Sequence, residues 1–236
     1  DEPSAPELPD ITTLYPNTAL MLASEGLLAD IESHFSKEEL SLFIPEFVEE
    51  GRLPDGKLYV LPTAKSTEVM FLNTAIFNKF IKETDVSYND LYTFKGILDT
   101  AEKYYLWTDN QTPDIENDGK TFITYDSLFN MAQIIYRQSG ENFIIDGKLN
   151  LSSKAFEDVW NYCFKPSVKG YAAIYDGYGS DLIKTGDVVA SIGSTAGVLF
   201  YSDIVTYDDN LTEPAEFLIL PYPVIEGGNK IAIQRG

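Results

Sequence analysis

Short apolar runs alternate along this chain with segments whose apolar residues recur at helical spacing, the pattern of an α/β protein. Asp10–Leu14 reads as a short buried strand, followed by a turn at Tyr15-Pro16-Asn17. Asn17 is placed to cap a helix that runs through Ala19, Leu20, Leu22 and Ala23 and closes at Gly26. Ser36 and Glu39 have capping-box spacing before a helix bearing Leu40, Phe43, Phe47 and Val48, interrupted or ended by Pro45 and Gly51. Leu58–Leu61 and Glu68–Leu72 are apolar runs with a small polar separator, so they predict strand, crossing segment, strand. Ile76, Phe77, Phe80 and Ile81 continue into a helix, and Leu91, Phe94, Ile97, Leu98 and Ala101 predict another over Asp90–Leu106. Asp109–Lys120 is a loop.

Further on, Tyr125-Asp126-Ser127 opens a helix with Leu128, Met131, Ala132 and Ile135 on one face and Gly140 at its end. Asn150–Ser153 caps the next helix, whose stripe is Phe156, Val159, Trp160 and Cys163, so Trp160 and Cys163 are expected in the core. Val188–Ile192 predicts a strand and Val198 with Phe200 a helix. A last strand is expected at Phe217–Leu220, before a Gly-Gly turn at 227–228. No internal repeat or low-complexity segment is present.

Composition narrows the function classes. The 236 residues suffice for one large domain or two modest lobes. Seventeen Lys+Arg against 37 Asp+Glu give a net charge of −20, which disfavours nucleic acid and anionic membrane surfaces as partners. A 44% hydrophobic and 13% aromatic content supports a sizeable core. A lone Cys163 excludes an intrachain disulfide, and a lone His34 excludes a two-histidine metal site. No apolar run approaches the 18 residues of a membrane span. Asp1–Asp10 is acidic and proline-rich, without the features of an export signal, so the protein is either cytosolic or carries its signal upstream.

The order of the motifs adds a resemblance. Pro9-Asp10-Ile11, the following helix and Gly26-Leu27-Leu28 are similar to the opening of extracellular solute-binding proteins of the maltose-binding-protein type, which deliver sugars to ABC importers. Gly56-Lys57-Leu58-Tyr59-Val60-Leu61-Pro62, Ser66-Thr67-Glu68-Val69 with Asn73, Lys184–Ser194, and Leu220-Pro221-Tyr222-Pro223 with Gly227-Gly228 resemble successive motifs of that family. Each motif records turn chemistry and is weak alone; the ordered set is the signal. The resemblance implies an α/β, two-lobe, periplasmic-binding-protein-like fold (type II), with residues 1–64 and 193–236 in one lobe and 65–192 in the other. Family members are longer, so this sequence is expected to be an internal fragment, incomplete at both ends. The crossings at Ala64-Lys65-Ser66 and Ile192-Gly193-Ser194 would serve as hinge.

A sugar needs aromatic faces for stacking and fixed polar groups for its hydroxyls. Tyr15, at a strand-to-helix turn, can present its ring, or pack as a surface tyrosine. Lys65, Ser66 and Glu68 leave the first crossing, and the Glu68 carboxylate can accept from hydroxyls unless strand alternation turns it to solvent. Tyr125 and Asp126 stand at a helix start, where Asp126 could bind ligand, cap the helix, or both. Ser194 and Thr195 follow a glycine and can donate to a ligand oxygen or merely start a helix. Tyr178 and Tyr175 are further aromatic candidates, and Trp107 reads as core or rim. Asp114–Gly119 imitates a calcium loop but has Tyr125 where a bidentate Glu is required, so it reads as an acidic solvated loop, and neither a metal nor any other cofactor is expected. His34 reads as a surface residue.

These features, with the resemblance, imply non-catalytic capture of a carbohydrate, an oligosaccharide, by cleft closure outside the cytoplasm, for the membrane permease of an ABC importer. The resemblance places such a protein in the periplasm or on a lipid anchor, with signal and anchor outside this sequence. The alternatives are a glycoside hydrolase pairing Glu68 with Asp126, and a surface module that contacts another protein.

Overall fold

A central strand, β1 (Ser66–Asn73), organises most of the chain. A computed structural model describes residues 9–235, which divide into two units, one reaching to Lys65 and one spanning Ser66–Arg235. Residues 1–8 of the acidic, proline-rich segment lie outside the described residues.

The first unit is helical. Helix α1 (Pro16–Ser24) starts at Pro16, whose fixed φ suits a first turn, and is flanked by Tyr15 in extended conformation. Asn17 therefore lies inside the helix and is not its cap. Gly26, with φ of 71°, ends it as expected. The strand expected at Asp10–Leu14 does not form: the segment has no paired neighbour among the described residues, and Ile11 is 91% exposed. Ser36 and Glu39 form the capping box of α2 (Lys37–Leu40), and Pro45 opens a separate helix, α3 (Pro45–Glu50). Leu58–Leu61 is not a strand either. Leu58 is fully buried but makes only an isolated bridge to Arg52, so its apolar character records core contact without sheet pairing.

In the second unit β1 is antiparallel to β6 (Ala190–Ser194) on one side. On its other side it pairs successively with β9 (Phe217–Leu220) and β10 (Gln234–Arg235). Strand β2 (Ile123–Tyr125) lies parallel to β6, and β5 (Ala172–Ala173) parallel to β2. Beyond residue 192, the strand residues 193–194, 217–220 and 234–235 all pair with β1.

Helices cover the sheet. Asn73 ends β1 and caps α4 (Thr74–Ile81), its Oδ1 accepting from the amides of Ala75 and Ile76. Helix α5 (Phe94–Asp109) is capped by Thr93 and preceded by a 3-10 turn over Tyr88–Tyr92, so it begins four residues later than the apolar spacing predicts. Phe77, Phe80, Tyr104 and Phe122 meet ring to ring beneath the sheet. Burying each phenylalanine is worth about 1.5–3 kcal/mol.

Ser127, and not Asp126, caps α6 (Leu128–Ser139), its Oγ accepting from the Asn130 amide. Gly140, with φ of 72°, closes that helix as expected. A hairpin of β3 (Ile144–Ile145) and β4 (Lys148–Leu149) turns at Asp146-Gly147, both with positive φ. Helix α7 (Lys154–Val159) passes through one π turn (Trp160–Phe164) into α8 (Lys165–Val168). The π turn rotates Trp160 off the buried stripe; it is 43% exposed and stacks on Phe164, contrary to its expected place in the core, while Cys163 is buried as expected. Helix α9 (Gly179–Lys184) leads into β6, which begins two residues after the expected Val188. A 3-10 turn (Thr195–Phe200) stands where a helix was expected, followed by the hairpin of β7 (Ile204–Thr206) and β8 (Thr212–Pro214).

Candidate functional site

The carboxyl ends of β2, β5 and β6 and the start of β1 lie along one edge of the sheet, the edge at which α/β sheets hold ligands. Two carboxylates are built into it. Glu68 sits opposite Ser194 in the β1–β6 register and points to the same face as Met70 and Leu72, so alternation buries it, with 2% exposed. Its Oε1 accepts from Asn130 Nδ2 on α6 at 2.7 Å and from Arg235 Nη1 on β10 at 3.1 Å. Oε2 has no donor among the described residues. Burial raises the Glu68 pKa above the ordinary carboxylate value; the Asn130 hydrogen bond and the Arg235 charge oppose this, and the Asp126 charge adds to it.

Asp126 follows β2, its amide bonded to the Ile192 carbonyl at 2.9 Å. Its Oδ1 accepts from the Gly179 amide at the start of α9, at 2.8 Å. Two glycines make room for it. A Cβ on Gly193 would lie 2.3 Å from Asp126 Oδ2, and one on Gly179 would lie 3.1 Å from Oδ1 and 2.6 Å from the Ser191 Cβ. Burial raises the Asp126 pKa too, against the Gly179 amide and the Arg235 charge, while Asp181 pushes in the same direction as burial.

Hydroxyls line the same edge. Ser194 Oγ donates to Ser66 Oγ at 3.0 Å and accepts from the Ala196 amide; Thr195 Oγ1 accepts from the Thr67 amide at 3.4 Å. On the opposite face Tyr201 stacks on Phe71 at 4.2 Å, and its hydroxyl lies 2.6 Å from Ser191 Oγ. Aromatic rings are exposed near the ends of these elements: Phe129, one residue before Asn130; Tyr178, directly before Gly179; and Tyr175 in the loop after β5.

Of the residues expected at a site, the structure brings Ser66, Glu68, Asp126, Ser194 and Thr195 to one edge, with Tyr178 exposed beside Gly179. Tyr125 is buried in the core, where desolvation raises its hydroxyl pKa. Tyr15 and Lys65 belong to the first unit: Tyr15 is exposed at the start of α1, and Lys65 Nζ pairs with Glu50 at 2.7 Å. Trp107 packs against Phe80 and donates to Glu83, and His34 is exposed. Asn130 and Arg235 were not expected. Asn130 follows a capping serine at helical spacing, and Arg235 is a cation closing an apolar run; both signals are local, and neither names Glu68 as the partner. No group of three or more His, Cys, Asp or Glu among the described residues is placed to hold a metal ion.

A buried and a half-buried carboxylate at a strand edge, held by an amide, an arginine and two close glycines, are built to accept hydrogen bonds from a fixed direction. The profile of bacterial extracellular solute-binding proteins matches residues 2–230. The chain belongs to that family. Solved structures agree on the fold. UgpB from Mycobacterium tuberculosis, in complex with glycerophosphocholine, is similar at a TM-score of 0.66 and 15% identity, over 92% of this chain and 53% of that one. The ABC substrate-binding protein Lmo0181 from Listeria monocytogenes, in complex with cycloalternan, gives 0.69 and 18%, over 94% and 53%. Maltose-bound MalE3 from T. maritima gives 0.65 and 15%, again over 94% and 53%. The chain therefore spans about half the length of these relatives and shares the fold of the part it matches. No curated protein matches it. No helix among the described residues is long and apolar enough to cross a membrane.

Proposed function

We propose that this chain serves in the capture of a carbohydrate, an oligosaccharide, for the permease of an ABC importer, outside the cytoplasm. The protein that carries it would be periplasmic or lipid-anchored, and would hold its ligand by closure of two lobes, with no bond made or broken. The observation that carries this reading is Glu68: a carboxylate 2% exposed, held through one oxygen by Asn130 and Arg235, with no donor to the other oxygen among the described residues. An acceptor fixed in this way matches a sugar hydroxyl, and the exposed rings of Phe129, Tyr175 and Tyr178 offer faces for the pyranose. Two of the similar structures hold maltose and cycloalternan, which favours a saccharide as ligand here.

The test is a thermal-shift and calorimetric screen of the chain against mono- and oligosaccharides, since a ligand that binds the native form raises its melting temperature. For any saccharide that binds, Glu68→Gln is expected to weaken affinity about 10- to 100-fold, the worth of a hydrogen bond to a charged group, with the unliganded fold retained. Unchanged affinity removes Glu68 from the site. New reducing ends released from mixed glycans would replace capture with hydrolysis by Glu68 and Asp126.

A further inference from the structure

We propose that the Glu68–Asp126–Arg235 centre sets the charge class of the ligand: it takes neutral and amine-bearing hydroxyl compounds and excludes acidic ones such as uronates and sugar phosphates. The inference rests on the capture reading above and adds what the site selects. Its basis is a count of the charges assembled at one edge. Two carboxylates, Glu68 and Asp126, are both drawn out of water by the sheet. The cation acting on both is Arg235, which bonds Glu68 Oε1 at 3.1 Å. Asp181, on the helix that begins at Gly179, adds a third negative charge toward Asp126, and Lys184 Nζ lies 3.4 Å from Asp181 Oδ1. With both carboxylates ionised, the inner groups sum to −1, and the outer Asp181–Lys184 pair to zero.

The acceptors also outnumber their donors. Glu68 Oε2 and Asp126 Oδ2 have no donor among the described residues, although one residue is buried and the other half-buried. A further polar group stands unsatisfied near Glu68: the hydroxyl of Tyr222, a residue 6% exposed, has no hydrogen-bond partner among the described residues, and the Glu68 charge acts on it. A buried hydroxyl without a partner is rare, and this one feels the charge of Glu68. A ligand that completes this set donates to two carboxylate oxygens and accepts from the tyrosine hydroxyl or from the remaining guanidinium N–H groups. A vicinal diol does so, and so does an amino alcohol, whose ammonium also offsets the residual negative charge. A carboxylate or phosphate brings no donor for the two oxygens and adds like charge in a poorly solvated place, where the repulsion is weakly screened.

The test uses the full chain and four probes at equal concentration: maltotetraose (neutral), chitotetraose (N-acetylated), its deacetylated tetramer (amine) and tetragalacturonate (acidic). Affinities are read by calorimetry and thermal shift at pH 7 and low salt. The expected result is binding of at least one neutral or amine probe, with tetragalacturonate at least tenfold weaker. Where the amine probe binds, its advantage over the N-acetylated one should shrink about tenfold in Asp126→Asn. Glu68→Gln serves as a second charge-neutralising variant of nearly unchanged shape should Asp126→Asn fail to fold. Tetragalacturonate binding within threefold of the best probe, or better, overturns the charge selection and leaves carbohydrate capture standing. An amine advantage that survives both substitutions also overturns it. Binding of none of the four overturns this inference together with the capture reading.

Discussion

Replacing Gln138 by methionine tests how the last segment of the chain is held. Gln138 lies on α6, 1% exposed, and uses its whole amide. Nε2 donates to the Pro223 carbonyl at 2.9 Å and the Ile231 carbonyl at 3.1 Å, while Oε1 accepts from the Ile225 amide at 2.9 Å. Its main-chain carbonyl takes the Asn229 amide as well, so one residue clasps the loop that delivers β10, and with it Arg235, to Glu68. Methionine keeps the length and the packing but strands two carbonyls and one amide. Each buried group left unsatisfied costs about 1–3 kcal/mol. The open groove of about 440 Å³ lined by Gln138, Ile225 and Asn229 admits water to part of this set, which lowers the expected total to about 2–4 kcal/mol. At about 2–4 °C per kcal/mol for a chain of this size, the melting temperature should fall by roughly 4–16 °C. Circular dichroism melts report this loss, and hydrogen exchange at the Ile225 and Asn229 amides reports its place. A melting temperature within 1 °C of the parent, with unchanged protection at both amides, would refute the clasp.

Gly193→Ala places a methyl 2.3 Å from Asp126 Oδ2, against an ordinary contact of 3.4 Å or more, so the carboxylate must retreat by about 1 Å and release the Gly179 amide. The expected outcome is a loss of roughly 1.5–3 kcal/mol, as for a hydrogen bond to a charged group, and weaker saccharide binding; an alanine variant with parental stability and affinity would show that Asp126 is not held from this side. The pH dependence carries a defined sign. Folding raises the pKa of Glu68 above its ordinary 4.5 and that of Asp126 above its ordinary 3.8. The folded state therefore binds these protons more tightly than the unfolded one, and their contribution, complete below those values, is lost as pH rises through the folded pKa of each. Urea melts of Glu68→Gln and the parent between pH 3 and 7 should diverge in that window, with the parent losing relative stability as pH rises; parallel curves would contradict the burial of an ionising Glu68.

What the sequence made legible was mostly what short range decides. The capping box of Ser36 and Glu39, the helix stop at Gly140 and the run Glu68–Leu72 depend on neighbours within a few residues, and all appear in the fold. Apolar runs at Asp10–Leu14 and Leu58–Leu61 carry strand-like composition, but a strand exists only where another lies alongside, and hydropathy does not report that. Trp160 shifted because a single π turn breaks the 3.6-residue period on which its stripe was drawn. At the site, the sequence marks Glu68 as a carboxylate leaving a crossing segment and Asp126 as one at a helix start. It does not mark their partners: Asn130 reaches Glu68 across 62 residues and Arg235 across 167, and no local pattern encodes such a meeting.

Strand β1 is made early in the chain, yet its neighbours on both sides come from residues 190–194, 217–220 and 234–235. During synthesis it must wait, unpaired, for more than a hundred residues before either flank can arrive. Closing loops of that length precedes any reward from pairing, which slows folding and keeps an apolar edge open meanwhile. A polypeptide released before residue 190 could pair β2 with β5 and close the β3–β4 hairpin, but would leave β1 without any of its partners, so completion of the second unit is gated by its tail.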